Sequence, residues 1–161
     1  MRGNGGAASD IAQRELTITR VFDAPREVVF AAWTDAERAA QWWGPQGFTT
    51  ISCEMDVRVG GAYRACMRSP EGTRHCRRGV YREIVQPERL VFTYAWEDGV
   101  GSLGHETILT VTFADAGRDK TRLTLHQAVF ETESARDEHH GGWSSCMERF
   151  AAYLAAATTE R

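Results

Sequence analysis

Six ionisable side chains lie on segments that could line an internal pocket, and their types are those used in general acid–base catalysis. An enzyme would need an acid and a base, or a cationic clamp for an oxyanion, within hydrogen-bond reach of one substrate. Strands turn alternate side chains to opposite faces, so some of these groups are expected in solvent or in cross-strand ion pairs. We therefore keep an enzyme as an alternative and assign no catalytic residue among Glu54, Arg64, Arg77, Glu83, His105 and His126.

Cysteine and histidine spacing does not favour a metal site. Cys66, His75 and Cys76 could supply three zinc ligands, but the second paired cluster typical of zinc sites is missing. His139 and His140 are adjacent, and neighbouring residues of a helix diverge by about 100°, so they do not readily share one ion. We expect no metal and no cofactor. The four cysteines are expected to be reduced and mostly buried as small apolar groups.

A GxGxxG pattern occurs at residues 99–104. A dinucleotide fingerprint must open a helix, whereas this stretch joins two predicted strands. We interpret residues 97–104 as a flexible loop at the mouth of a pocket, with residues 43–47 forming a second loop at that mouth.

Composition is that of a globular domain without a nucleic-acid footprint. The chain has 161 residues, 42% apolar residues and a net charge of −3. Residues 1–13 are small and polar and lack the apolar core of a signal peptide, so we predict a disordered N-terminal arm. No run of about 18 apolar residues is present. We expect one domain at residues 14–161 and a cytoplasmic location.

The elements that must position the polar groups are mainly strands. Two short helices are predicted after the first strand, where Pro25 and Asp35 mark helix starts. Period-two alternation, β-branched residues and turn signals predict seven strands, and short connections make their sheet antiparallel. The predicted strands cover residues 15–22, 48–57, 62–68, 75–85, 89–96, 105–113 and 121–130.

The C-terminal segment changes to helical periodicity. Trp143, Met147, Phe150 and Leu154 are spaced four, three and four residues apart, which predicts an amphipathic helix. Its start is open: Ser134 and Asp137 resemble a capping box, whereas the glycine pair at 141–142 favours either a break before Trp143 or a close backbone approach.

Several short motifs together resemble the activator of heat-shock protein 90 ATPase homologue-like family, within the START-like (SRPBCC) superfamily. The resemblance covers about residues 15–157, and the order and spacing of the motifs carry it. The motifs are RVFDAP at 20–25, AWT at 32–34, WWGP at 42–45, Asp56 with the glycines at 60–61, GxYxEI at 79–84, PERL at 87–90 and GW at 142–143.

The resemblance implies an α+β helix-grip fold, in which a curved seven-stranded antiparallel sheet wraps the C-terminal helix and leaves a cavity. The co-chaperone that named the family has a separate N-terminal domain that contacts the chaperone, and nothing in this sequence corresponds to it. We therefore do not expect chaperone contact, although regulation of a heat-shock chaperone ATPase in a stress response stays an alternative. The superfamily also contains cyclases and hydrolases, which is the enzyme alternative.

We predict that the chain binds a hydrophobic or aromatic small molecule between the sheet and the C-terminal helix. Large aromatic side chains with a few polar groups on a concave face suit such a site. Exposed strand edges would also permit a homodimer. The predicted ligand-binding residues are Trp43, Phe48, Tyr63, Met67, Arg77, Tyr81, Phe92, Tyr94, Trp96, Trp143 and Met147.

Overall fold

The computed structural model describes residues 14–98 and 102–159. The predicted N-terminal arm at 1–13 and the centre of the predicted loop at 97–104 lie outside the described residues. The elements are β1 (Leu16–Phe22), α1 (Arg26–Thr34), α2 (Ala36–Ala39), β2 (Thr49–Met55), β3 (Ala62–Arg68), β4 (Arg74–Val85), β5 (Arg89–Trp96), β6 (Thr107–Asp115), β7 (Thr121–Ala128) and α3 (Glu133–Thr159).

The strands form one antiparallel sheet in the order β1-β7-β6-β5-β4-β3-β2. Hairpins join consecutive strands from β2 to β7, and β1 pairs with β7, so β1 and β2 form the two edges. The sheet and the long C-terminal helix confirm the predicted helix-grip fold. In the described residues, no helix combines the length and apolar character needed to cross a bilayer.

The core is formed by the inward residues of the sheet together with the apolar stripe of α3. Alternation is regular in β6 and β7, where every second residue is buried. Met147, Phe150 and Leu154 of α3 are almost completely buried in the same cluster. The predicted stripe therefore faces the sheet, and burial of apolar surface holds the two layers together.

Helices α1 and α2 close one end of this core. The carboxylate of Asp35 caps α2 by accepting hydrogen bonds from the backbone N–H groups of Glu37 and Arg38, at 2.9 and 3.5 Å. Trp42 follows α2 and is fully buried, with its indole N–H donating to the carbonyl of Ala32 at 3.1 Å. Its ring packs on Phe150 with centroids 4.3 Å apart, which ties the short helices to α3.

Helix α3 begins earlier than either predicted start. Thr132 is the capping residue, because its hydroxyl accepts a hydrogen bond from the backbone N–H of Ala135 at 3.0 Å. The predicted capping box at Ser134 is therefore wrong, and of the two alternatives left open for the glycine pair, the break before Trp143 is wrong. The helix runs through Gly141 and Gly142 without interruption, because packing on the sheet outweighs the weak helix propensity of two glycines.

The prediction of four reduced cysteines is wrong for one pair. Cys66 and Cys76 form a disulfide across β3 and β4, with Cα atoms 4.1 Å apart. Both are five residues from Glu71 in the turn, so hairpin register alone brings them opposite each other. This pair is therefore unavailable as zinc ligands. Cys53 and Cys146 are free thiols, half-buried and buried.

Candidate functional site

A cavity of about 220 Å³ lies between the concave face of the sheet, the N-terminal half of α3 and the segment after α2. Three indole rings, those of Trp43, Trp96 and Trp143, form much of its wall, and we call it the indole cavity. Cavities of about 150 Å³ accept benzene, so this volume suits a molecule with one or two rings. The remaining described lining residues are Gly44, Pro45, Met67, Arg77, Tyr94, Glu138, His139, Gly142 and Cys146.

The segment carrying Trp43 is fixed against α3 by polar contacts. The backbone N–H of Gly44 donates to the Cys146 sulfur at 3.4 Å, and the N–H of Gln46 donates to the Ser145 hydroxyl at 2.9 Å. Gly44 has a φ of +127°, and an added Cβ would lie 3.0 Å from the sulfur of Met67. Glycine is therefore required for a turn that places Trp43 in the cavity wall.

Arg77 enters the cavity from β4, where it pairs with Ala65 of β3 and Trp96 of β5. It is only 2% exposed. Its guanidinium carbon lies 4.3 Å from the ring centroid of Trp43 and 5.6 Å from that of Trp96. Such cation–π contacts contribute up to about 2 kcal/mol when desolvated, less than the several kcal/mol that burying a cation costs.

Two nitrogen atoms of this guanidinium, Nε and Nη1, are buried without a hydrogen-bond partner in the described structure. None of the ion pairs found among the described residues includes Arg77. Buried polar groups are nearly always hydrogen-bonded, so this arrangement is an exception that requires a physical explanation.

Trp143 is positioned by a chain of buried hydrogen bonds. Its indole N–H donates to the side-chain oxygen of Gln127 at 2.8 Å. The Gln127 amide donates to the Thr107 hydroxyl at 2.8 Å, and that hydroxyl donates to the carbonyl of Tyr94 at 3.0 Å. Gln127 is completely buried. The chain joins β5, β6, β7 and α3 behind the cavity wall and fixes the orientation of the Trp143 ring.

His139 holds Trp96 in place and is one of the wall residues that the sequence did not predict. The Trp96 indole N–H donates to Nε2 of His139 at 2.9 Å, and Nδ1 lies 2.7 Å from the carbonyl of Ala135. Nε2 therefore accepts and Nδ1 donates, which defines a neutral imidazole. Extending the stripe of Trp143 back by four residues would have placed His139 on the same helix face.

We predict that protonation of His139 destabilises the fold. Burial lowers its pKa from the ordinary value of 6.5, with only partial opposition from the Ala135 hydrogen bond. The unfolded chain therefore binds the proton more readily. The contribution of neutral His139 to the free energy of unfolding is fully present above about pH 6.5. It is lost as pH falls below that value, by at most about 1.4 kcal/mol per pH unit.

Chemical unfolding of the wild-type protein and His139→Gln between pH 5 and pH 8 measures this. The variant should show a shallower loss of stability on acidification. His140→Gln is the matched control, because His140 is exposed one residue away and should leave the slope unchanged. Equal slopes for all three proteins would contradict the assignment.

The structure places the predicted ligand-binding residues in two groups. Six line the indole cavity: Trp43, Met67, Arg77, Tyr94, Trp96 and Trp143. Phe48 is half-buried beside His75, and the other four belong to the packed core: Tyr63, Tyr81, Phe92 and Met147. A role in binding stays a prediction for all of them.

The other polar candidates do not join Arg77. Arg64 pairs with Glu97 through two bonds of 2.7 and 2.9 Å outside the indole cavity, and Glu54 is exposed. A bulge in β4 after Tyr81 turns Glu83 outward, where it pairs with Arg89 at 3.1 Å. The exposed His105 contacts the carbonyl of Val129, and the half-buried His126 contacts Glu15.

The cavity wall holds few groups suited to proton transfer. Among its described residues, Glu138 is the one carboxylate, and it is exposed at the rim. Cys146 is buried, which raises the pKa of its thiol to about 11 and keeps it protonated. In the described part of the chain, no three His, Cys, Asp or Glu side chains are grouped as metal ligands.

Of the two predicted mouth loops, the described residues of the 43–47 segment reach the cavity and those of the 97–104 segment do not. Gly44 and Pro45 of the 43–47 segment line it. Of the 97–104 segment, the residues that are described lie elsewhere: Glu97 bridges Leu103, and Leu103 belongs to a groove on the other side of the sheet.

Comparison with known proteins identifies relatives of this chain. A family model described as "Activator of Hsp90 ATPase homolog 1-like protein" matches residues 23–155, from α1 through most of α3. A search among curated proteins returned no match.

Solved structures share the fold over almost the whole chain. The AHSA1 protein from Silicibacter pomeroyi is 27% identical with a TM-score of 0.80, and the alignment covers 89% of this chain and 99% of that one. Protein CV1439 from Chromobacterium violaceum is 29% identical with a TM-score of 0.74, and the alignment covers 86% of this chain and 95% of that one. A protein from Arthrobacter aurescens is 26% identical with a TM-score of 0.80, and the alignment covers 91% of this chain and 89% of that one.

Proposed function

The chain belongs to the Activator of Hsp90 ATPase homolog 1-like family, and we propose that it binds a small hydrophobic or aromatic molecule in the indole cavity. One observation carries the proposal: an open volume of about 220 Å³ persists between the sheet and α3, with the rings of Trp43, Tyr94, Trp96 and Trp143 in its wall. Pockets of this type, mostly apolar with a few placed polar groups, are the usual sites for small ligands.

The driving force would be removal of apolar ligand surface from water, at roughly 25 cal/mol per Å². The walls are already held in place, by Gln127 behind Trp143 and by His139 behind Trp96. Little side-chain ordering would then oppose binding, because the rings have lost their rotational freedom on folding.

Two adjacent glycines of α3 provide a matched test. Gly142 lies in the cavity wall, and an added Cβ would be 3.9 Å from Pro45, whereas a Cβ on exposed Gly141 would have no neighbour within 4 Å. A leucine at 142 would extend into the cavity, and a leucine at 141 would extend into solvent. Both changes raise helix propensity by a similar amount.

A panel of neutral one-ring and two-ring aromatic compounds and short-chain aliphatic compounds should be screened by thermal shift and calorimetry. We expect at least one compound to bind the wild-type protein, Gly142→Leu to weaken it by about tenfold or more, and Gly141→Leu to bind normally; tenfold corresponds to about 1.4 kcal/mol. If both leucine variants bind like the wild type, or if neither this panel nor arylacetates and arylacetamides bind, the proposal is wrong.

A further inference from the structure

The guanidinium of Arg77 packs against two indole rings, and two of its nitrogen atoms are buried without an acceptor. Trp43 and Trp96 lie against it, and Nε and Nη1 lack an acceptor within the described structure. Arg77 also lines the indole cavity, so the charge sits where a ligand would enter.

Arg77 forms no ion pair among the described residues, and Glu138, the one carboxylate of the described cavity wall, is exposed at the rim. Tyr63, Tyr94, Cys53 and Cys146 are titratable groups that interact with the charge of Arg77. Burial raises the pKa of each of them, so all four are neutral at pH 7. Within the described residues, the cation therefore has no paired counter-ion.

We propose that the ligand of the indole cavity carries a carboxylate, which pairs with Arg77. This inference rests on the proposed function and narrows its ligand class. A carboxylate is planar and matches the planar donor edge of a guanidinium, and an aromatic or aliphatic body would then fill the space towards Trp143 and Met67.

Matched ligand pairs separate this inference from the proposed function. Phenylacetate and phenylacetamide have nearly the same shape and differ in charge, and 1-naphthylacetate and 1-naphthylacetamide form a two-ring pair. Calorimetry on the wild-type protein at pH 7 should give an affinity for the carboxylate about tenfold or more above that for its amide. Arg77→Met should bring the affinities for the acid and its amide to within about twofold of each other, and Arg77→Lys should keep part of the preference because it keeps the charge without the planar edge.

Each outcome has a distinct meaning. Equal affinity of acid and amide for the wild-type protein overturns the inference while leaving the proposed function intact. A preference for the acid that persists in Arg77→Met also overturns it. Absence of binding by all four compounds, and by the neutral panel above, overturns the proposed function itself. The wild-type comparison decides the inference without any variant, so it does not depend on the folding of Arg77→Met.

Discussion

Replacing Gly79 by alanine should lower the free energy of unfolding by about 3 kcal/mol or more, which is at the upper end of the range for overpacking. An added Cβ at this position would overlap the carbonyl oxygen of Thr93 and lie 2.6 Å from its carbonyl carbon and 2.8 Å from the ring of Tyr63. The nearest obstacle is backbone, which cannot rotate away. The strand would have to separate locally, two residues from Arg77.

Thermal unfolding measures this effect. The melting temperature should fall by about 6–12 °C, because 1 kcal/mol corresponds to about 2–4 °C for a domain of this size. Gly141→Ala is the matched control. Its Cβ has no neighbour within 4 Å, so the same substitution in α3 should raise stability by up to about 1 kcal/mol. Equal changes in melting temperature for the two substitutions would show that overlap with the Thr93 backbone does not destabilise Gly79→Ala.

Replacing Gln127 by leucine should lower the free energy of unfolding by about 3 kcal/mol and weaken ligand binding. The change leaves the Trp143 indole N–H without an acceptor and removes the donor to Thr107, both in a fully buried setting. Each unsatisfied buried group costs about 1–3 kcal/mol. The freed indole would also lose the orientation that shapes the cavity wall.

A double variant tests the cause of this loss. Trp143→Phe removes the unsatisfied N–H, so Gln127→Leu combined with Trp143→Phe should be less destabilised than the sum of the two single variants. Gln46→Leu controls for the substitution type, because Gln46 is exposed in the segment after α2. Strictly additive effects in urea unfolding would argue against a shared hydrogen bond.

Much of the fold could be predicted because the relevant signals are local. Alternation of apolar residues located all seven strands within about two residues, and hairpin turns made the sheet antiparallel. The start of α3 was missed because Thr132 and Ser134 are equally good capping types, and only the packing of the first turns decides between them. The Cys66–Cys76 disulfide was missed although the hairpin turn contained the information.

The sequence by itself determined the inward face of each strand and the stripe of α3, because periodicity of two or 3.6 residues assigns side chains to faces before any contact forms. It thereby brought Arg77, Tyr94, Trp96 and Trp143 towards one interior. Tertiary structure alone decided which of the inward aromatic residues fill the core, as Tyr63 and Phe92 do, and which border a void. It also decided that Arg77 forms no ion pair with any described residue, because a counter-ion can come from any distant segment and no local sequence pattern predicts which one.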